Sequence, residues 1–595
     1  MKICETPLHM LNEKAWKEAD RKLLAKMLQE FMYEEIIKTT LILKKEDVHL
    51  YQWCDKKGTV YRFDARPRLF DSFQVSVESI TVKGNEKADI PLSLAFLLSI
   101  QEEGEMSSLT AGHLVKEYLH TLVADTHLQD KAKSSNQLTE LDYVELEGKM
   151  TGHPWITYNK GRLGFGYDDY LQYAPEQKQH INLSWIAVHK RIGTFHSVEG
   201  LTYEHVIEQE LGQESNELFK RKFNDLGLME SDYYFMPIHL WQWNNMIVSM
   251  FAAEIAKKEI IPLGEGGDNY LPQQSVRTFV NVTNKDKYHV KLPVSILNTL
   301  VYRGLPSERT VIAPKVTEFM KNILENDPFL KENCHLGLLG EVATINVNHP
   351  TFHQLKGVPY QYVEMLGVIW RESIYKELKE GERAVTLAAL LYVDNEGVPY
   401  VSKLIEKSDL TVESWIYKLT NSILPPLLHF LYQYGTVFSP HGQNTVLVLK
   451  DYIPERIIMK DFVDDVNISD QPLKELLELS PELKEVLRSE PPEGLTQFIF
   501  TGLFICHFRY LSSILEDKEQ FSEHRFWSIV REEILAYKEK FPQLQERFEL
   551  FDLLRPTFTK LTLNRNRMFD YGYIDGNDRP HASEYGKVTN ALYKI

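Results

Sequence analysis

The spacing of apolar residues changes character several times along this chain, which excludes any fold built from one kind of element or one repeated unit. From residue 15 to about 38, Leu23, Leu24, Met27, Leu28, Phe31 and Met32 return at helical intervals. Residues 48–84 switch to strand-like composition with turn residues between. Helical patterning resumes over 85–145, where the polar run 130–137 reads as a loop and a candidate boundary. From 150 to about 370, short β-rich stretches mix with Gly and Pro, notably 279–282, 289–294 and 299–302. After Tyr360 the chain reads as mostly helical, broken by a hairpin at 445–449 and 456–460 with its turn at 451–455. A chain of 595 residues exceeds one core. The expectation is an α+β fold with mixed antiparallel sheets, in three parts: 1–150, 151–370 and 371–595.

Charge narrows the function. Lys and Arg number 67 against 84 Asp and Glu, a formal net charge of −17. Nucleic-acid and anionic-membrane surfaces need basic patches, so neither partner is expected. An anionic small molecule remains admissible if the cations gather in a few places. The apolar stretches 91–100 and 424–432 fall short of the roughly 20 residues that cross a bilayer. Met1-Lys2-Ile3-Cys4-Glu5 lacks the apolar core of a secretion signal. Cys4, Cys54, Cys334 and Cys506 are scattered without a CxxC pair, which suits a reducing cytoplasm.

Four segments carry polar groups that periodicity does not explain. In Gly152-His153-Pro154, with Lys160 and Arg162 beyond it, Gly and Pro pin a loop beside two cations that can grip phosphate; the plain alternative is a solvated basic turn. Gln273-Gln274-Ser275-Val276-Arg277-Thr278 is a dense donor set, followed by Lys291, Thr299 and Arg303. Residues 291–296 alternate like a strand, placing Lys291, Pro293 and Ser295 on one face. Three cations there suit several carboxylates, and Arg binds each in bidentate fashion; unrelated surface cations would leave the same spacing. His239-Leu240-Trp241-Gln242-Trp243 reads as a packed corner. His441-Gly442-Gln443-Asn444, a hairpin, then Lys460-Asp461-Phe462 can bring Asn444 and Asp461 to one Mg²⁺ with phosphates, and His441 can donate to an anion or act in proton transfer. The same pattern suits a small-molecule kinase, but Gln443 stands where a kinase carries its catalytic Asp and cannot serve as a base.

At these residues the chain resembles the NRPS-independent siderophore synthetases, the aerobactin-synthetase (IucA/IucC-like) family. The motifs occur in order: GHP…K.R.GF…YAPE at 152–176, H.WQW at 239–243, QQS.RT at 273–278, KLPVSI..T…R at 291–303, and HGQN with Asp461 twenty residues beyond His441. The resemblance implies a cupped hand of thumb, fingers and palm for the three parts, and a homodimer. It also implies ATP-dependent adenylation of a carboxylate of citrate or a citryl-amide, then condensation with an amine or polyamine. Implied ATP contacts are Lys160, Ser275, Arg277, Thr278, Lys291, Gln443, Asn444 and Asp461. Thr299, Arg303 and His441 would hold the acid, Arg303, His441 and Lys291 would be catalytic, and Asn444 and Asp461 would hold Mg²⁺. The family's second His-Pro is here Ile156-Thr157, its Glu two residues before the HGQN His is Ser439, and its Arg before Asp461 is Lys460. The QQS.RT form resembles the group acting on a preformed citrate monoamide, and spermidine is one amine that fits. The competing readings are a kinase-like phosphotransferase and a non-catalytic polycarboxylate binder.

Overall fold

The computed structural model describes residues 7–84 and 90–595; residues 1–5, with Cys4, lie outside them. The first helix, Glu13–Tyr33, opens on Asn12, whose side chain accepts the Ala15 amide. It ends short of residue 38 because Glu35 takes a φ of 56°, which a right-handed helix cannot continue. Its face of Leu24, Met27, Leu28 and Phe31 is buried against helices Leu92–Glu102 and Ser108–Asp130 and a five-stranded antiparallel sheet spanning residues 40–83. Within the polar run 130–137 only 131–134 is a connector. Ser134 and Gln137 form a capping box that opens the short helix Ser135–Leu138.

The middle of the chain builds an eight-stranded antiparallel sheet. In spatial order its strands are Gly193–Ser197, Glu341–Val347, Gly367–Arg371, His289–Lys291, Thr278–Asn281, Ile260–Pro272, Ile181–His189 and Tyr233–Ile238. Trp185, Phe235, Phe279 and Trp370 share its core. The single strand expected over 291–296 is divided. His289–Lys291 belongs to the large sheet, whereas Val294–Asn298 forms a separate hairpin with Val301–Arg303. Pro293 has no N–H to offer a ladder, and the chain leaves the sheet there. Lys291 and Ser295 therefore do not share a strand face. Thr299 and Leu300, with φ of 44° and 79°, make the hairpin turn rather than strand.

Helices Val412–Tyr434, Pro492–Glu519 and Glu523–Lys540 enter the largest core, with Trp415, Phe500 and Trp527 inside it. Beside them lies a four-stranded sheet ordered Gly337–Leu339, Ile453–Lys460, Thr445–Lys450, Glu382–Thr386, its first pair parallel. The hairpin turns at Asp451 and Tyr452, with φ of 52° and 63°. Its second strand starts at Ile453 rather than 456, absorbing Pro454 where the pairing shifts register. Gly367–Arg371 and Glu382–Thr386 put strands into a region whose composition reads as helical. Pro492–Glu519 is long and apolar enough to cross a bilayer, yet 72% of its apolar window is buried in the protein. Thr501, Gly502 and His507 interrupt its apolar run and hide that length in the sequence.

Candidate active site

The HGQN loop leaves the large core and enters the Thr445–Lys450 strand through a tight turn, closed by the Asn444 and Thr445 amides donating to the His441 carbonyl at 3.1 Å. Gly442 is required by contact. A Cβ there would meet three atoms of Ala388 at 3.1 Å, and the Gly442 carbonyl accepts from Ala388 N at 2.8 Å and the Thr386 hydroxyl at 2.7 Å. His441 Nδ1 accepts the Gln443 amide at 3.3 Å, which leaves the proton on Nε2. Burial brings its pKa down to about 4, against the pull of Asp461. At neutral pH His441 is a neutral donor.

Asp461 follows the hairpin in the left-handed region, φ 72°, and opens the short turn Phe462–Asp465. That turn delivers three carboxyls to one place. Asp461 is bound by Lys291 and by Arg371 at 2.9 Å. Asp464 takes Arg277 at 2.9 Å, Lys291 at 3.0 Å and Arg309 at 3.2 Å. Both stay ionised, held well below the usual carboxylate range by those cations against the cost of burial. Asp465, 2.5 Å from the donating Asn444 Nδ2, has burial and its two acidic neighbours against it and is pushed up to about 8.

Arg303 projects from the small hairpin. It donates to the Asn298 carbonyl at 2.9 Å and to the Thr299 hydroxyl, while its Nε is buried without a partner. Among the described residues no carboxylate pairs with it. Burial, with repulsion from Arg277 and Arg579, brings its pKa down to about 9, so it is still a cation at neutral pH. A half-buried guanidinium without a counter-charge is costly and poised for an anion. Ser275 shapes the tight turn before Arg277 by accepting the Thr278 amide at 3.1 Å.

These groups line a cleft of about 220 Å³, into which Ser275, Arg277, Arg303, His441, Gln443, Asn444 and Asp461 all face. Lys291 sits beneath its floor, gripping Asp461 and Asp464, and Thr299 holds Arg303 from behind. Thr278 and Lys160 are not on its walls. Thr278 is buried in the large sheet; Lys160 donates to Asp125 at 2.7 Å, to Asn159 at 2.9 Å and to the Thr151 carbonyl, bracing the Gly152 loop instead. Arg162 is spent on a buried bidentate pair with Glu176. His239 and Gln242 are structural, Gln242 bridging Ser295 and the Met365 carbonyl. Four wall residues escaped the motif reading: Arg309, Asp464, Asp465 and Arg579. The two aspartates lie within four residues of Asp461, a signal present in the sequence; Arg579 left none.

Among the described residues no three His, Cys, Asp or Glu side chains form a ready metal cage. That suits Mg²⁺ arriving with a nucleotide, which needs one or two protein oxygens and fills the rest from phosphate and water. Asn444 Oδ1 is buried without a partner beside Asp465. The donor set fits such an ion.

Residues 142–392 match the IucA / IucC family and residues 413–576 match a model described as a ferric iron reductase FhuF-like transporter. The rhizobactin siderophore biosynthesis protein RhbF of Rhizobium meliloti (strain 1021) is 41% identical over 583 residues, covering 98% of this chain and 96% of that one. The citryl-spermidine/3,4-dihydroxybenzoyl-citryl-spermidine:spermidine ligase of Bacillus anthracis is 30% identical, covering 96% and 93%. The crystal structure of the petrobactin biosynthesis protein AsbB from Bacillus anthracis str. Sterne superposes with a TM-score of 0.89 at 28% identity, covering 100% and 98%. Fold and relatives together define an enzyme of siderophore assembly, a ligase. The chain belongs to the IucA/IucC family of siderophore synthetases.

Proposed function

We propose that the cleft activates one carboxylate of citrate or a citryl-amide with ATP and passes the acyl group to an amine. The observation that carries this is Arg303, a half-buried cation without a carboxylate partner, bonded to Thr299 and sharing its cleft with the neutral donor His441. Arg303, Thr299 and His441 hold the acid with one carboxylate oxygen directed at the α-phosphorus of ATP. A P–O bond forms there and pyrophosphate leaves. Arg277 and Ser275, with Lys291 beneath, bind the phosphate oxygens where charge develops, each such donor being worth roughly 3–4 kcal/mol. Asn444, Asp465 and Asp461 would hold Mg²⁺, which when bound neutralises phosphate charge. The amine nitrogen then attacks the acyl carbon, the C–O bond to AMP breaks, and the amine proton passes to solvent. A polyamine such as spermidine fits the reading, in keeping with the name of the Bacillus anthracis relative. In this scheme residues 1–150, 151–370 and 371–595 act as thumb, fingers and palm, in a cytoplasmic homodimer.

The test is incubation with ATP, Mg²⁺, citrate or a citryl-amide, and hydroxylamine. Hydroxamate and AMP are the expected products. ADP with a phosphorylated acid would return the chain to the kinase reading, and tight binding of citrate without any turnover would make it a binder.

A further inference from the structure

The stretch beyond both matched family segments, the second of which ends at residue 576, sends one side chain into the cleft, Arg579. Arg579 sits on a stretch tied down from several sides. The Tyr573 hydroxyl donates to the buried Glu117, the Tyr573 ring stacks on His113 at 4.6 Å, and the Gly576 carbonyl accepts the Tyr360 amide at 3.1 Å. Arg579 itself uses Nη2 alone for its close contacts, to Glu364 at 2.6 Å and the Gly304 carbonyl at 3.2 Å. Its Nε is buried without a partner, and Nη1 is 3.9 Å from the nearest carboxylate, Asp464, beyond hydrogen-bond range. Nη1 is therefore left as a free donor on the cleft wall, beside Arg309, where it can meet a carboxylate.

The charge balance points the same way. Arg277, Arg303, Arg309 and Arg579 on the walls, with Lys291 and Arg371 behind, face Asp461, Asp464, Glu341 and Glu364. Counting Asp465 as charged still leaves the cations one in excess, so the cleft keeps a net positive charge for an anionic ligand.

We propose that Arg579, assisted by Arg309, is a specificity-determining residue: it takes a second carboxylate of the acid substrate, one that is not activated, while Arg303, Thr299 and His441 hold the reacting one. This rests on the acid-activating reading above. The ligand class it selects is a hydroxy acid with at least two carboxylates, and a monocarboxylate is discriminated against because the Arg579 Nη1 donor stays unpaired.

The experiment compares wild type, Arg579→Gln, Arg579→Lys and the double variant Arg579→Gln/Glu364→Gln. Calorimetry measures binding of citrate, of 3-hydroxyglutarate (citrate without its central carboxylate) and of citramalate (citrate without one terminal carboxylate). The hydroxamate assay gives the ATP KM, and thermal melting confirms that each variant is folded. Arg579→Gln is expected to weaken citrate binding on the order of 30-fold, with the ATP KM within about twofold of wild type and Arg579→Lys intermediate. One of the two truncated acids should bind wild type and Arg579→Gln equally, which identifies the carboxylate that Arg579 holds. Equal weakening for all three acids, unchanged citrate binding, or a wild type that binds none of them overturns the proposal. Recovery of citrate affinity in the double variant overturns it too, since Arg579 would then only neutralise Glu364. Arg579-dependent citrate binding without AMP formation sinks the ligase reading and leaves this subsite. Hydroxamate formation indifferent to Arg579 does the reverse.

Discussion

Arg303 and His441 are both half-buried in the cleft but respond to desolvation in opposite ways. Desolvation disfavours the charged form of each. His441, with an ordinary value near neutrality, is driven to about 4 and becomes a neutral Nε2 donor. Arg303 falls only to about 9 and keeps its charge. The cleft thus sets a neutral donor beside a desolvated cation, a pairing suited to an acid whose oxygen must stay nucleophilic. Arg303→Ala should lower kcat/KM in the hydroxamate assay by at least about 100-fold, the scale of losing one preorganised donor. Its melting temperature should hold or rise, because the bonds lost are to one carbonyl and one hydroxyl and the charge removed is an unpaired one. Wild-type-like turnover would remove Arg303 from the site. Gln443 is equally telling at this scale: it lies on the cleft wall, where an amide can bind phosphate but cannot take a proton.

At the scale of elements, the cleft depends on how the C-terminal segment is fastened to helix Ser108–Asp130. The fastening is Glu117, fully buried, accepting from the Tyr573 hydroxyl. Burial pushes its pKa up to about 7 against the opposing pull of Arg567. The folded state therefore binds this proton more tightly than the unfolded chain does. The stability it contributes is complete below the ordinary value of 4.5 and is lost as pH rises through 7. Glu117→Gln, neutral at every pH, should melt like wild type at about pH 4.5 and be more stable at pH 8, on the order of 2 kcal/mol. A variant no more stable than wild type at pH 8 would contradict this account. The same fastening carries Arg579, so a loosened segment should also weaken citrate binding.

For the whole molecule, charge is segregated. The chain is acidic overall at −17, yet its cleft gathers Arg277, Arg303, Arg309 and Arg579. An acidic exterior suits an incoming cationic amine and a basic interior suits ATP and a polycarboxylate. Burial also settles the meaning of Pro492–Glu519, whose apolar surface is consumed by the largest core. In detergent phase separation the protein should stay in the aqueous phase; recovery in the detergent phase would show that this helix is available to lipid.

Much of the local structure was legible in the sequence because its causes are local. The 3.6 period of the first helix and the 445–460 hairpin each depend on residues a few positions apart, and the ordered motifs pointed to the family. The misses also have local reasons, since Pro293 ends one strand and Pro454 disguises the start of another. What only the tertiary structure decided is which charges meet. Lys160 and Arg162 look like phosphate ligands beside a Gly-Pro loop, but folding pairs them with Asp125 and Glu176. Arg579 looks like nothing, but folding sets it beside residues 277, 303 and 464. Electrostatic role depends on distance and burial, and neither is written in spacing along the chain.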